Sequence, residues 1–339
     1  MASWQAAALS RFIALKIKRK PKDREDEAHI ARQARLKLGR MPGYALPPIP
    51  DGLQVRAVSF ATLDGDAARG EWLAWKTDRP PVTTLYLHGG GYIACSPHTH
   101  RPITVTLATL LRGRVFALDY RLAPEHRFPA ALDDAVAAYR WMVETQGVSP
   151  RRLLIAGDSA GGGLALSTLI RLRELGAPLP AGAALYSPWT DLAGTGETLE
   201  TNTERDAMFY GAGIRLAGRI YAGDMPPDHP LISPLYADLT GLPPLLIFAS
   251  SSEVLLDDAR RLAEKARAAG VAVELRIEDD LPHVWPLFCQ LIPEGRQTLA
   301  QTAAFARRVV NQPAFPPQSL PSNFRYDHRL AARASVAHH

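Results

Sequence analysis

Short apolar runs alternate with longer segments of helical period through the middle of this chain, and that alternation limits its fold more than any other feature. Thr83 to Leu87, Arg114 to Asp119, Leu153 to Ala156, Ala183 to Tyr186, Leu245 to Ser250 and Val271 to Ile277 read as strands. Ala131 to Glu144, Leu164 to Leu175, Asp258 to Ala269 and Thr298 to Val310 carry apolar residues at helical spacing. Strands with so few polar positions need cover on both faces, which a mostly parallel sheet flanked by helices provides. Gln54 to Phe60 and Glu71 to Trp75, joined through Asp64-Gly65-Asp66, predict an antiparallel hairpin leading into that sheet. In an α/β sheet of this kind binding and chemistry collect at the carboxyl ends of the strands.

The 339 residues allow one large α/β domain with an appendage or two ordinary domains. No uncharged apolar run approaches the ~18 residues that a bilayer-spanning helix needs. Basic residues interrupt the apolar stretch that a secretory signal would require. Only Cys95 and Cys289 occur, too few for a disulfide framework and in keeping with buried thiols in a reducing compartment, so the expected location is the cytoplasm.

The net charge of +5 is gathered at the amino end: residues 1–40 hold 11 Lys and Arg against 4 Asp and Glu, leaving 28 against 30 for the remainder. A basic arm including Arg11, Lys16, Lys18, Arg19, Lys20 and Lys22 suits nucleic acid or anionic lipid. Trp4, Leu9, Phe12, Ile13 and Ile17 nevertheless fall near helical spacing. They predict an amphipathic helix with its apolar stripe on the body and its lysines in water, and hence no nucleic acid and no stable membrane association. Pro-rich stretches at 42–50 and 313–321 bracket the body, and no function is read from the tail that ends in His338 and His339.

Three strand ends carry chemistry. After Leu153 to Ala156 comes Gly157-Asp158-Ser159-Ala160-Gly161-Gly162-Gly163, a G-x-S-x-G sequence between a strand and a helix. Glycines two residues either side of Ser159 leave room for a sharp turn, and the helix start aims N–H groups at the serine. After Thr83 to Leu87 comes His88-Gly89-Gly90-Gly91-Tyr92, whose unshielded amides suit donation to an oxyanion; Gly89 and Gly90 are the expected donors, with Ala160 from the serine turn. His88 reads as a brace for that loop. His283, on a loop after the last predicted strand, is placed to take the serine proton, while His98, His100, His126 and His229 read as surface or packed residues.

An acid must come between Ser159 and His283 in chain order. Ser250 to Asp258 offers Glu253, Asp257 and Asp258. Glu253 lies three residues past a strand end, whereas Asp257 and Asp258 precede an amphipathic run where acids serve the helix start. Glu253 is the expected acid, with Asp257 the alternative.

These motifs together resemble the hormone-sensitive-lipase-like family of α/β-hydrolases, which includes bacterial carboxylesterases, over about Gln54 to Val310. Asp119-Tyr-Arg-Leu-Ala-Pro-Glu125 with Phe128-Pro-Ala, and Tyr186-Ser-Pro-Trp-Thr-Asp191, carry the resemblance further. It implies the α/β-hydrolase fold, Ser159 as nucleophile, His283 as base, and Gly89, Gly90 and Ala160 as oxyanion donors. Many members have Asp-Pro-Leu-x-Asp after the penultimate strand with its first Asp catalytic; aligning Leu255 and Asp257 puts Glu253 there, a departure from Asp. The resemblance also implies a helical cap from residues 1–45, a catalytic domain of residues 46–312 with a cap insertion at about 192–225, and a tail at 313–339. Tyr92, Met208, Phe209 and Tyr210 are then candidates for an apolar substrate pocket.

The function expected is cofactor-independent hydrolysis of short- to medium-chain carboxylic esters by a monomer or homodimer. An amidase or lactonase using the same triad is the alternative within the enzyme class. From another class comes a small-molecule receptor, since plant gibberellin receptors resemble this family yet lack a working triad. No metal is expected because no His or Cys pair sits at ligand spacing, and Gly157 to Gly163 does not fit the dinucleotide pattern G-x-G-x-x-G.

Overall fold

A computed structural model of the protein describes residues 2–18, 20, 26–41, 43–62, 65–76 and 80–311. The tail at 313–339, Asp64 of the expected turn, and Arg19 and Lys22 of the basic arm lie outside the described residues. The strands are β1 (Leu53–Ala61), β2 (Ala67–Trp75), β3 (Thr83–Leu87), β4 (Arg114–Asp119), β5 (Leu153–Asp158), β6 (Gly182–Tyr186), β7 (Leu245–Ser250) and β8 (Val273–Glu278). They form one sheet in the order β1-β2-β4-β3-β5-β6-β7-β8. β1 with β2 and β2 with β4 are antiparallel, and every other neighbouring pair is parallel.

β3, β5, β6 and β7 are buried at every position, which is why their sequences are largely apolar, with Thr83, Thr84, Asp158 and Ser250 only at their ends. Their side chains alternate between two cores. Leu85, Leu87 and Ile155 pack with residues of α4 (Ala130–Arg140), α5 (Ala160–Glu174) and α8 (Leu256–Ala268). Tyr86, Leu154 and Ala156 pack with α3 (Arg101–Leu111) and α9 (Pro293–Val310). Leu87 lies level with Gly157, Asp158 with Tyr186, and Ser250 with Glu278, so the loops that follow these strands open along one edge.

Two helices precede the sheet, α1 (Trp4–Lys16) and α2 (Glu27–Leu38), and α6 (Thr198–Thr201) and α7 (Gly211–Ala222) lie between β6 and β7. The orientation expected for α1 is corrected. Ala6 and Ile13 are buried and Leu9 and Ile17 half-buried, but Trp4 and Phe12 face outward, because a helix with apolar residues on two sides has more of them than its single contact face can cover. Among the described residues no helix is long and apolar enough to cross a membrane.

Candidate active site

β5 ends at Asp158 and α5 begins at Ala160, so Ser159 makes the turn alone, at φ +52° and ψ −122°. That conformation is strained for a residue with a Cβ, and its surroundings hold it there. Ser159 N–H donates to the Tyr186 carbonyl at 2.8 Å, and its own carbonyl accepts from Gly162 at 3.0 Å and Trp189 at 2.9 Å. A Cβ on Gly157 would lie 2.2 Å from the Gly161 carbonyl oxygen, and one on Gly161 2.1 Å from that of Leu87. Both flanking positions are therefore restricted to glycine by the backbone crossing beneath the serine.

The candidate acid and the candidate base meet after β7 and β8. Glu253 Oε2 lies 2.6 Å from His283 Nδ1, and both side chains are buried. Glu253 is aimed by its other oxygen, Oε1, which accepts from Ser250 N–H at 2.8 Å, and its backbone carbonyl accepts from Asn202 Nδ2 at 2.9 Å. A carboxylate on Nδ1 fixes the tautomer with its proton there, so Nε2 carries the lone pair. Nε2 is buried without a hydrogen-bond partner, and no bond joins it to Ser159 Oγ in this geometry. The two loops are nonetheless tied side by side: Tyr186 holds Ser159 N–H, and Ser187 Oγ accepts from Val284 N–H at 3.2 Å. Burial pulls the His283 pKa down, but the hydrogen bond and charge of Glu253, with the charges of Asp206 and Asp158, outweigh it and leave the pKa above its ordinary value.

Asp257 and Asp258 point elsewhere. Asp257 Oδ2 accepts from Thr198 N–H at 3.0 Å, and Asp258 Oδ2 accepts from Thr190 and Asp191 N–H at 2.6 and 2.8 Å. Both sit in the first turn of α8 and fasten the segment after β6 to it. Burial foremost pushes the Asp258 pKa up to about 8.

The glycine loop departs from expectation at its first residue. Gly89 N–H donates to Asp158 Oδ1 at 3.1 Å, and a Cβ on Gly89 would lie 2.2 Å from Asp158 Oδ2. Its amide is committed to a buried carboxylate and is not free for an oxyanion. Gly90 and Gly91, both at positive φ, have no acceptor for their N–H groups among the described residues. Ala160, first residue of α5, has the orphan amide that every helix start leaves. Asp158 is further held by Tyr86 Oη at 2.6 Å and His100 Nε2 at 3.1 Å. Burial would raise the Asp158 pKa, but His100 and Tyr86 offset it and the net shift is downward. His88 braces the loop, as expected: Nδ1 lies 2.7 Å from the Gly89 carbonyl, and the ring stacks on Tyr120. Burial drops its pKa to about 3, which keeps the ring neutral.

Of the candidate pocket residues, Phe209 reaches His283, the two rings meeting edge to face at 5.2 Å between centroids. Met208 precedes it and is buried. Tyr210 lies under Lys18 Nζ, 4.5 Å from the ring centroid, and Tyr92 stacks on Tyr221 at 3.7 Å. These last two rings are engaged with neighbouring segments rather than with His283.

A profile of the alpha/beta hydrolase fold matches residues 84–287. The chain belongs to that family. The hydrolase is 46% identical over 230 residues to an acetyl-hydrolase of Streptomyces hygroscopicus, a match covering 68% of this chain and 77% of that one. It is 34% identical over 255 residues to an esterase of Acinetobacter venetianus, covering 75% and 82%. The crystal structure of an esterase from the bacterial hormone-sensitive lipase family matches with a TM-score of 0.80 at 39% identity, covering 92% of this chain and 100% of that one. The resemblance read from the sequence is thus borne out.

Sequence reasoning missed Asp206. Its buried carboxylate accepts from Met208 and Phe209 N–H through Oδ1 at 2.7 and 2.9 Å, and from Val254 N–H through Oδ2 at 2.8 Å. One side chain of the hydrolase thereby joins the Phe209 turn to the residue after Glu253. Burial raises its pKa against the pull of His283 and the three donors. No motif marks Asp206. Asp158 lay in plain view inside the G-x-S-x-G sequence, yet a variable position there carries no meaning until β3 is known to lie beside β5.

Proposed function

We propose that Ser159, His283 and Glu253 are the catalytic triad of a hydrolase that cleaves short- to medium-chain acyl esters through an acyl-enzyme. The chain is a carboxylic ester hydrolase, the reaction class on which its esterase and acetyl-hydrolase relatives agree. The observation that carries the assignment is the 2.6 Å Glu253–His283 contact with Nε2 left open, on a loop tied through Val284 and Ser187 to the strand end that holds Ser159 at positive φ.

Nε2 accepts the Ser159 proton as Oγ attacks the ester carbonyl, and Glu253 stabilises the imidazolium that forms. The negative oxygen of the tetrahedral intermediate is met by N–H groups of Gly90, Gly91 and Ala160, while Gly89, bound to Asp158, holds the loop in place. The imidazolium then protonates the departing alkoxide. Water, deprotonated by the same nitrogen, attacks the acyl-enzyme and releases the acid and free Ser159. The described helices α1 and α2 together with residues at about 192–225 form the cap, and Phe209 walls the site beside the base. The acetyl-hydrolase relative, a buried Ser159 and the Phe209 ring against His283 support a preference for short acyl groups.

Stopped-flow hydrolysis of p-nitrophenyl acetate, butyrate and palmitate tests this. The short esters should give turnover, with a burst stoichiometric with enzyme wherever deacylation is slower, and palmitate should be slowest. A fluorophosphonate should label Ser159 alone. Absence of both turnover and label would reject the reading.

A further inference from the structure

α1 presents the wrong face to water. Ala6 and Ile13 enter the core, yet on the opposite side Trp4 is 78% exposed, Phe12 52% and Leu15 83%. At 3.6 residues per turn, Trp4, Leu15, Ala8 and Phe12 share an arc of about 80°. Arg11 borders that arc on one side and Lys16 on the other; both are exposed and neither makes an ion pair among the described residues. A helix on a soluble body ordinarily turns charges to solvent, whereas an apolar face with aromatic residues and basic flanks is the pattern of a helix lying in a lipid interface.

The helix is fastened at both ends. Ser3 N–H donates to Glu294 Oε1 at 2.6 Å, at the start of α9, and Lys18 Nζ donates to the Thr203 carbonyl at 2.7 Å while covering the Tyr210 ring. The apolar arc is therefore held outward by the body. On α2, Leu36 is also exposed, with Arg32 and Arg40 exposed four residues to either side.

We propose that this face of α1 is a docking surface for anionic phospholipid membranes, bound reversibly at the interface. Charge selects this occupant over the others. The 11 Lys and Arg against 4 Asp and Glu in residues 1–40 attract an anionic surface, whereas a second copy would bring two basic rims together. The tail of this chain carries Arg325, Arg329 and Arg333 against Asp327, the same sign as the helix. One short helix without a lipid anchor gives only reversible binding, so the proposal concerns exchange with a membrane surface and not residence in it.

Flotation of the full chain with phosphatidylglycerol–phosphatidylcholine vesicles, against phosphatidylcholine alone, tests it. The protein should float with the anionic vesicles and be released by salt. Trp4→Ser/Leu15→Ser and Arg11→Gln/Lys16→Gln should each lower partitioning on the order of tenfold or more, with unchanged circular dichroism and an unchanged rate on dissolved p-nitrophenyl acetate. Failure of the wild-type chain to float overturns the proposal whatever the variants do, as does equal flotation of folded variants. A dimer in light scattering that the Trp4→Ser/Leu15→Ser variant dissociates would assign the face to a second copy. A Trp4 emission, taken as wild type minus Trp4→Tyr, that acrylamide cannot quench at any protein concentration would assign it to this chain's own tail. Either result overturns lipid as the occupant.

Discussion

The loops at the strand ends and the helical segments outside the sheet obey different rules. Around Ser159 the backbone decides: Cβ atoms at Gly157 and Gly161 would come within 2.1–2.2 Å of carbonyl oxygens that cannot move away, and hydrogen bonds with Tyr186, Gly162, Gly163 and Trp189 keep the serine in its strained conformation. In α1, α6 and α7 the side chains decide. Trp4 and Leu15 touch little, and the segment after β6 is secured by replaceable contacts such as Asp257 with Thr198 and Lys18 with Thr203. The contrast separates backbone positions that tolerate almost no change from side-chain positions that tolerate much.

Substitutions should sort by that contrast. Ser159→Ala removes the nucleophile without adding strain and should lower kcat on the order of 10⁶ in a protein that melts as the wild type does; retention of more than a few per cent activity would move the nucleophile elsewhere. Glu253→Gln should cost on the order of 10³–10⁴ in kcat, because the tautomer of His283 is no longer fixed. The pH profile gives an independent readout of the same pair. kcat/KM needs the neutral ring and so rises with pH, through an apparent pKa above the ordinary 6.5 because Glu253 favours the charged form; removing that charge should move the midpoint down. An unmoved midpoint would break the assignment of Glu253.

Gly90→Val puts a Cβ 2.3 Å from the Ala94 carbonyl at a φ of +108°. It should reduce kcat on the order of 10²–10³ with a smaller change in KM, and a pure KM effect would deny Gly90 its role at the oxyanion. Asp206→Asn tests the border between the two regions. It should lower kcat roughly tenfold or more through displaced neighbours and also lower the His283 midpoint; loss of thermal stability with an unchanged midpoint would reduce Asp206 to a fastener. Asp257→Asn should cost about 1 kcal/mol or less in denaturant unfolding and leave kcat alone. A catalytic defect larger than that of Glu253→Gln would reverse the two carboxylates.

The sheet was legible because strands buried on both faces are written as continuous apolar runs, and because the G-x-S-x-G and His-Gly-Gly-Gly sequences state a backbone requirement in residue types. The reasoning that separated Glu253 from Asp257 also rested on backbone position, one residue just past a strand and the other at a helix start. Where side-chain contacts decide, the reading weakened. α3 went unassigned because Ile103, Thr104, Val105 and Thr106 favour strands, and only packing between the sheet and α9 makes them helical. The outward face of α1 was misassigned because periodicity identifies an apolar stripe and cannot say which of two apolar sides the body takes. Gly89 looked like its neighbours until the carboxylate beneath it was located.

That carboxylate has a consequence for transplantation. Asp158 adjoins the serine in sequence, receives the Gly89 amide from another loop, and is kept ionised by Tyr86 on β3 and His100 ahead of α3. A designer who grafts the glycine loop onto a foreign scaffold, or trades it between esterases, moves only one end of this linkage. The donor segment must travel with its tyrosine, its histidine and the residue before Ser159, or the grafted amides will have nothing to measure their position against.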